Sequence, residues 1–313
     1  MRGYEPCGAT GQQAVRAILL IPEGVLVEDG GRTTALGDRT DGVADADANW
    51  EIGRAPDGLP VVRYVRGERE GRPWADLLEV LVPEGPTADA AGAGGVDRGG
   101  STADPVGFVL SELSGWVVSG PVEFGGRLLH RGARTLRHGH TMYRDLAGDP
   151  PAAGWAAWAG TPLRNGLRAV PCDRPADDLL ASCRAAYAPG HPDHRPGRED
   201  EAHERLHLLL TGQLPVGPVL PSSALAVDGD DRVVAGAVLT DYDGTPWLSD
   251  VFRHPDLGYP GLGRDLLRRA LADTAATGAA RVGLAVTEGN PARRLYEDLG
   301  FQVTRSSLTV VVP

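Results

Sequence analysis

Residues 251–301 constrain this chain most, because they combine a strand, a glycine-rich turn, a helix, a second strand and a second helix. Residues 247–253 are rich in β-branched and aromatic types, which predicts a strand that stops before Pro255. The turn at residues 258–263 leads into a run whose leucines and alanines recur on one helical face until Gly278. This order predicts an α/β domain in which a helix starts directly on a glycine turn.

The glycine turn predicts an anion site. Gly261 and Gly263 precede the helix, and glycines at such a position leave backbone N–H groups uncovered. Those amides and the positive end of the helix dipole can bind a pyrophosphate without a basic side chain. A surface turn that only opens a helix is the alternative interpretation.

A second strand and helix follow at once. Residues 282–287 alternate larger and smaller residues, which is typical of a short internal strand. Asn290 suits a helix N-cap, and Gly300 suits a left-handed helix end. A helix that contains Tyr296 is therefore predicted between them.

The turn and the second helix together resemble motifs A and B of the GNAT superfamily of N-acetyltransferases. The matching residues are Gly261, Gly263, Asn290, Ala292, Leu295, Tyr296, Gly300 and Phe301. The chain departs from the family at Gly258, where Arg or Gln is usual, and at Tyr259, where glycine is usual. The resemblance implies an α/β (α+β) fold, with a mixed, mostly antiparallel sheet flanked by helices, and acetyl-CoA as cosubstrate.

The resemblance also implies where the coenzyme binds. The family places it between the motif strand and the next strand, where backbone groups near Val251 and Arg253 face the pantetheine arm and the thioester carbonyl. The coenzyme-binding residues implied in this way are Val251, Phe252, Arg253, Gly258, Tyr259, Pro260, Gly261, Leu262, Gly263, Arg264, Asn290 and Arg293.

Two residues are candidates for catalysis. Tyr296 matches the family's general acid, which protonates the leaving thiolate, and a helix tyrosine packed beneath the sheet is the alternative. Asp250 is the only carboxylate of the motif strand. Three roles stay open for it: a base that acts on the amine through water, a group that binds a cationic acceptor, and a solvated strand-end residue.

The expected reaction is direct transfer of an acyl group, acetyl in the first instance, from acyl-CoA to a primary amine of a small molecule. A coenzyme-binding pseudoenzyme, which acts as a sensor or scaffold without turnover, is the alternative that Gly258 and Tyr259 keep open. The net charge of −11 argues against nucleic-acid and anionic-membrane partners and favours a cationic amine. The apolar run at residues 17–21 is too short to span a bilayer or to serve as a signal peptide. We therefore expect a cytoplasmic protein, with a homodimer as one option.

The 313 residues allow two domains. Residues 163–313 carry the helices, hairpin and motif of a complete GNAT domain, and residues 147–162 predict a linker in which Trp155 packs against a domain surface. Residues 1–146 predict an N-terminal α+β domain with a flexible insertion at 84–105, where small and polar residues cannot bury a core.

Two interpretations of the first half stay open. It is either a degenerate GNAT-like half or an unrelated small α+β domain. Three residues of the first half repeat the spacing of three in the second half, which favours a repeat. They are Gly132, Arg137 and Thr141, against Gly300, Arg305 and Thr309.

One pattern suggests a metal. Residues 203–207 read His-Glu-Arg-Leu-His, the zinc-protease pattern, but they lie inside the GNAT region without a third ligand at a characteristic spacing. We therefore predict no metal ligands, and we expect this helix and the loop with His191 and His194 to wall the acceptor site. His138 and His140 are predicted as strand-surface residues.

Overall fold

The computed structural model describes residues 25–26, 34–35, 50–69, 71–82, 104–156, 163–198, 201–255 and 260–313. The strands are β1 Val25–Leu26, β2 Thr34–Ala35, β3 Trp50–Arg54, β4 Pro60–Arg69, β5 Arg72–Val80, β6 Val117–Pro121, β7 Arg134–Asp145, β8 Arg168–Pro171, β9 Ala224–Val227, β10 Val233–Tyr242, β11 Thr245–Arg253, β12 Arg281–Thr287 and β13 Gln302–Val311. The helices are α1 Pro105–Glu112, α2 Val122–His130, α3 Ala153–Ala156, α4 Ala176–Ala186, α5 Glu201–Leu210, α6 Leu262–Ala276 and α7 Ala292–Asp298.

One 11-stranded sheet runs through the chain in the order β3-β4-β5-β6-β13-β7-β12-β11-β10-β9-β8, and β1 pairs with β2 separately. The neighbours β5–β6 and β11–β12 are parallel, and the other neighbours are antiparallel. This confirms the predicted mixed, mostly antiparallel sheet flanked by helices.

Both halves follow the same order of elements. The first half runs β5-α1-β6-α2-β7, and the second runs β11-α6-β12-α7-β13. The last strand of each half, however, lies in the other half: β13 pairs with β6, and β7 pairs with β12. The chain has therefore exchanged its two C-terminal strands.

The register of β7 and β13 has the symmetry of a repeat. Arg137 pairs with Thr309, and Thr141 pairs with Arg305, so the pairing maps onto itself when the halves are swapped about the Gly139–Ser307 pair. These are the residues whose spacing suggested a repeat. The shared element order and the shared spacing thus support a repeat within the chain, and the GNAT-like character of the first half stays a prediction.

Each hydrophobic core is completed by the strand that the other half donates. Leu308 and Val310 of β13 pack into the core around α1 and α2. Met142 of β7 packs into the core around α6 and α7, where it is fully buried. Full burial of such a side chain contributes about 1.5–3 kcal/mol, so each core is stabilised by the strand that the other half donates.

The predicted linker also contacts the sheet. Trp155 lies between two guanidinium groups, at 5.4 Å from that of Arg144 and 5.4 Å from that of Arg268, which confirms that it packs against a domain surface. The insertion predicted at 84–105 falls almost wholly outside the described residues. Within the described ranges, no helix is long and apolar enough to cross a bilayer.

Candidate active site

The candidate site is an opening between β11 and β12. These parallel strands pair only at Trp247–Gly283 and Leu248–Leu284 within the described chain, although β11 continues to Arg253. The backbone of β11 beyond Leu248 therefore faces a cleft instead of a partner strand.

A β-bulge precedes the cleft. The register of β10 and β11 shifts where Val238 pairs with Asp250 and Leu239 pairs with Leu248, so Ser249 is the extra residue. A bulge bends its strand and increases the local twist, and here it turns β11 away from β12.

Asp250, the first residue after the bulge, lies in a buried cluster. Its Oδ1 accepts a hydrogen bond from the Tyr187 hydroxyl at 2.6 Å, and its Oδ2 accepts one from Arg205 Nη2 at 2.9 Å. The Asp250 side chain is 2% exposed and that of Arg205 is 19% exposed. The interpretation of Asp250 as a solvated strand-end residue is therefore wrong, because both its oxygens are bound inside the protein.

The cluster shifts the titration of its members. Burial, the charge of Asp250 and the hydrogen bond to it raise the pKa of Tyr187 well above its usual value. Burial lowers the pKa of Arg205, but the charges of Asp250, Tyr187 and Cys183 and the hydrogen bond to Asp250 together outweigh that effect, and the net shift is upward. Tyr187 thus stays a neutral donor, and it also lies 3.1 Å from the Val251 carbonyl in the unpaired part of β11.

The loop between α4 and α5 spans the mouth of the cleft. Asp193 of this loop accepts hydrogen bonds from Thr287 Oγ1 at 2.5 Å and from Asn290 Nδ2 at 2.8 Å. His194 Nδ1 lies 2.9 Å from the Tyr187 carbonyl and holds the loop to the end of α4. Asp193 was not among the predicted site residues, because its partners are distant in sequence.

Tyr296 of α7 is buried and lies edge-on to Phe301, with ring centroids 5.9 Å apart. Burial, and then the charges of Asp250 and Asp193, raise the pKa of Tyr296 above its usual value. The phenol therefore keeps its proton at neutral pH. A protonated phenol can donate a hydrogen bond to a developing thiolate, and its proton can follow as the thiolate leaves.

The glycine turn, called the phosphate turn below because of its predicted ligand, leads directly into α6 as the sequence predicts. Gly261 adopts a left-handed φ of 82° immediately before α6, and the first turn of α6 has no side-chain cap. The first N–H groups of a helix have no partner within the helix, so they are open to an anion. Pro260 is exposed beside the turn, and Leu262 is buried beneath it.

The predicted basic residues already have acidic partners. Arg264 Nη2 lies 2.6 Å from Asp298 Oδ2. Arg293 contacts Glu288 at 2.9 Å and Glu297 at 3.0 Å. Backbone amides are thus the main phosphate donors that the described residues offer.

The structure places the other predicted coenzyme residues as follows. Val251 packs on the core that contains Tyr296, Phe252 packs on the opposite core, and Arg253 Nη1 donates to the His254 carbonyl. Asn290 Oδ1 accepts the Ala292 N–H and so begins α7 as predicted. A Cβ added at Gly263 would lie 3.8 Å from Leu295 Cδ2, which is an ordinary van der Waals contact. Gly258 and Tyr259 lie outside the described residues.

The equivalent cleft of the first half lacks these features. Leu128, fully buried, occupies the place before Gly132 that Tyr296 occupies before Gly300. β5 also pairs with β6 at only two positions, Trp74–Val117 and Ala75–Val118, but a Cβ on Gly120 would lie 3.1 Å from the Leu78 carbonyl oxygen, so the two strands stay close beyond these pairs. The arrangement of a cleft, a phosphate turn and a buried phenol therefore occurs in the second half.

His140 differs from its predicted position, whereas His203 and His207 show no contact that contradicts theirs. His203 pairs with Asp177 of α4 at 3.1 Å, and His207 is exposed, so they do not form the zinc-protease arrangement with a third ligand among the described residues. His140, predicted on the strand surface, is instead buried beside Glu288. Two histidines at alternate positions of a strand were the signal that could have identified this group.

Residues 185–301 match the family model described as "Acetyltransferase (GNAT) family". The match begins in α4 and ends beyond α7, so it contains the cleft, the phosphate turn and Tyr296. A search of curated proteins found no matching sequence.

Solved structures of GNAT proteins are similar to parts of this chain. A GCN5-related N-acetyltransferase from Sphaerobacter thermophilus is 18% identical with a TM-score of 0.51, over 83% of this chain and 78% of that one. A tandem GNAT protein from the clavulanic acid biosynthesis pathway is 16% identical with a TM-score of 0.48, over 82% and 80%. A GCN5-related N-acetyltransferase from Kribbella flavida is 20% identical with a TM-score of 0.38, over 65% and 70%. At these identities the likeness to the first structure concerns the fold alone.

Proposed function

We propose that the GNAT-family domain at residues 185–301 transfers an acyl group, acetyl in the first instance, from acyl-CoA to a primary amine of a small molecule. The observation that carries this proposal is the stretch of β11 beyond Leu248 that does not pair with β12. Val251 in this stretch packs on the core that contains Tyr296, and the glycine turn before α6 follows β11 along the chain. The pantetheine arm would pair with the free edge of β11, and its pyrophosphate would accept hydrogen bonds from the first amides of α6.

The reaction is direct. The neutral amine attacks the thioester carbonyl, the C–N bond forms, and the C–S bond breaks as the thiolate leaves. Tyr296 gives its proton to the sulfur, and the amine loses one proton to a base or to water. The phenol of Tyr296 is protonated at neutral pH, so its proton is available to the sulfur, although its raised pKa makes it a weaker acid than a free tyrosine.

Asp250 remains the candidate base, with binding of the acceptor amine as its other role. Each of its oxygens accepts a hydrogen bond inside the protein, from Tyr187 or from Arg205. A water molecule that relays the amine proton would need to share one of these oxygens. Whether Asp250 acts on the amine or fixes α5 beside the cleft is decided by the first experiment of the Discussion.

The acceptor would enter between α5 and the loop that carries Asp193. The net charge of −11 favours a cationic small amine by long-range attraction and disfavours nucleic acid and anionic membranes. We place the protein in the cytoplasm, where acyl-CoA is available to it.

The proposal gives the two halves different roles. Residues 163–313 would carry the reaction, residues 147–162 would link the halves, and residues 1–146 would serve as a degenerate GNAT-like half without a coenzyme site. Leu128 in place of the phenol supports this division. A homodimer is compatible with the proposal but is not required by it.

A coenzyme-binding pseudoenzyme is the second candidate. Two observations favour it. Arg264 and Arg293, whose guanidinium groups would bind phosphates, already form ion pairs with acidic residues. Each oxygen of Asp250 already accepts a hydrogen bond inside the protein. Thiol release from acetyl-CoA with a panel of small amines distinguishes the two candidates. Calorimetric binding of coenzyme A without thiol release from any amine would support the pseudoenzyme.

A further inference from the structure

His138, His140 and Glu288 form a cluster between β7 and the start of α7. The two histidines occupy alternate positions of β7, so both rings project from the same face of the sheet, with centroids 4.9 Å apart. The Glu288 backbone N–H donates to the His138 carbonyl at 2.9 Å, which brings the Glu288 carboxylate beside both rings. One ligand atom from each residue lies within 4.8 Å of the other two.

The local contacts hold these side chains in place. His140 Nε2 lies 2.5 Å from Glu288 Oε2, and its other ring nitrogen, Nδ1, lies 2.8 Å from Ser306 Oγ. A hydrogen bond at the second nitrogen fixes the tautomer and orientation of metal-binding histidines. The Ser306 hydroxyl can supply that contact and leave the Nε2 lone pair for an ion.

We propose that these three residues bind a zinc ion. Two imidazoles and one carboxylate are a common ligand set for Zn²⁺, and three protein ligands leave a fourth position for water. Mg²⁺ and Ca²⁺ prefer oxygen ligands, so the two imidazoles select against them. The site would tie β7 of the first half to the turn between β12 and α7 of the second half, and it does not depend on the acyltransferase proposal.

Arg293 competes for the same place. Its Nη1 lies 2.9 Å from Glu288 Oε2 and 3.3 Å from His140 Nε2, so a guanidinium now neutralises the carboxylate. The Arg293 Nε contacts Glu297 at 3.0 Å, which gives this side chain a second partner when an ion arrives. Zinc must therefore displace Arg293 from Glu288, and removal of Arg293 should strengthen zinc binding.

The test is calorimetric titration of ZnCl₂ into the full chain, prepared without a histidine tag and stripped with a chelator. We expect one zinc per chain, unaffected by millimolar Mg²⁺. His138→Ala and Glu288→Gln should each weaken binding by at least about 10-fold, because each removes a ligand. Arg293→Gln should strengthen it by about 10-fold, a direction that misfolding does not produce.

His203 and His207 provide the matched control. Unlike His138 and His140, these two histidines follow the zinc-protease pattern in the sequence. The His203→Ala/His207→Ala variant should nevertheless bind zinc as the parent does. Loss of binding in that variant, with retention in His138→Ala, would move the site to α5 and overturn the proposal. Absence of binding at millimolar zinc, or weaker binding in Arg293→Gln with an unchanged melting temperature, would also overturn it.

Discussion

Replacement of Arg205 by methionine should destabilise the protein strongly, because it leaves the buried carboxylate of Asp250 without its cation. The two side chains are 19% and 2% exposed, and their charged atoms are 2.9 Å apart. Removal of one member of a buried ion pair costs about 3–5 kcal/mol. Tyr187 still donates to Asp250 Oδ1 in the variant, so we expect the lower end of that range, about 3 kcal/mol.

The assay is urea unfolding at neutral pH, monitored by tryptophan fluorescence. Arg205→Met should lower the free energy of unfolding by about 3 kcal/mol, and Arg205→Met/Asp250→Asn should recover most of this loss because no uncompensated charge remains. Arg198→Met is the matched control. Arg198 pairs with Glu201 at 3.4 Å with side chains 34% and 38% exposed, and such a pair contributes about 0–1 kcal/mol.

The same variants separate the roles of Asp250. If Asp250 is the base, Asp250→Asn should abolish amine-dependent thiol release, whereas Arg205→Met should retain it below the unfolding transition. If Asp250 mainly holds α5, both variants should lose stability with little change in turnover of the folded protein. A free energy of unfolding of Arg205→Met within about 0.5 kcal/mol of that of the parent would refute the reasoning, since a buried carboxylate without its cation should destabilise the folded state by about 3 kcal/mol.

Tyr296→Phe should lower the turnover rate on the order of 10²-fold and leave coenzyme A affinity nearly unchanged, as measured by thiol release and calorimetry; an unchanged rate with chemistry limiting would assign Tyr296 to packing. A fragment that begins at Trp155 lacks β7, so we expect neither cooperative unfolding nor coenzyme A binding, as measured by urea unfolding and calorimetry; a folded fragment that binds coenzyme A would contradict the exchange of strands. The hydrogen bond from His140, together with the charges of His140, Arg293 and His138, lowers the pKa of Glu288. The contribution of the Glu288 carboxylate to stability is therefore fully present at pH values above its usual pKa, and it is lost as the pH falls through the lowered pKa. The stability difference between the parent and Glu288→Gln should therefore shrink on acidification, and a difference that grows would contradict the assigned partners.

Much of the second half could be predicted because its signals are local. The order of strands and helices from Arg168 to Val311 follows from periodicity, glycine and proline positions, and helix caps that act over a few residues. The resemblance placed Tyr296 on α7 and the turn at Gly261 before α6, where the structure has them. Their roles in catalysis and coenzyme binding remain predictions.

The site clusters could not be predicted because they join distant segments. Asp250 finds Tyr187 and Arg205 only when α4 and α5 pack on β11. His140 finds Glu288 only when β7 lies beside β12. Sequence patterns describe neighbours along the chain, whereas these contacts depend on which strands become neighbours in space.

The exchange of β7 and β13 shows this division most clearly. From sequence alone came a shared spacing after two glycines suited to end a helix, and Gly132 and Gly300 both adopt the left-handed φ angles that favour glycine. The sequence did not determine which half each strand would join. Either edge offers the same backbone hydrogen bonds, and only the packing of Met142 into one core and of Leu308 into the other decides the exchange.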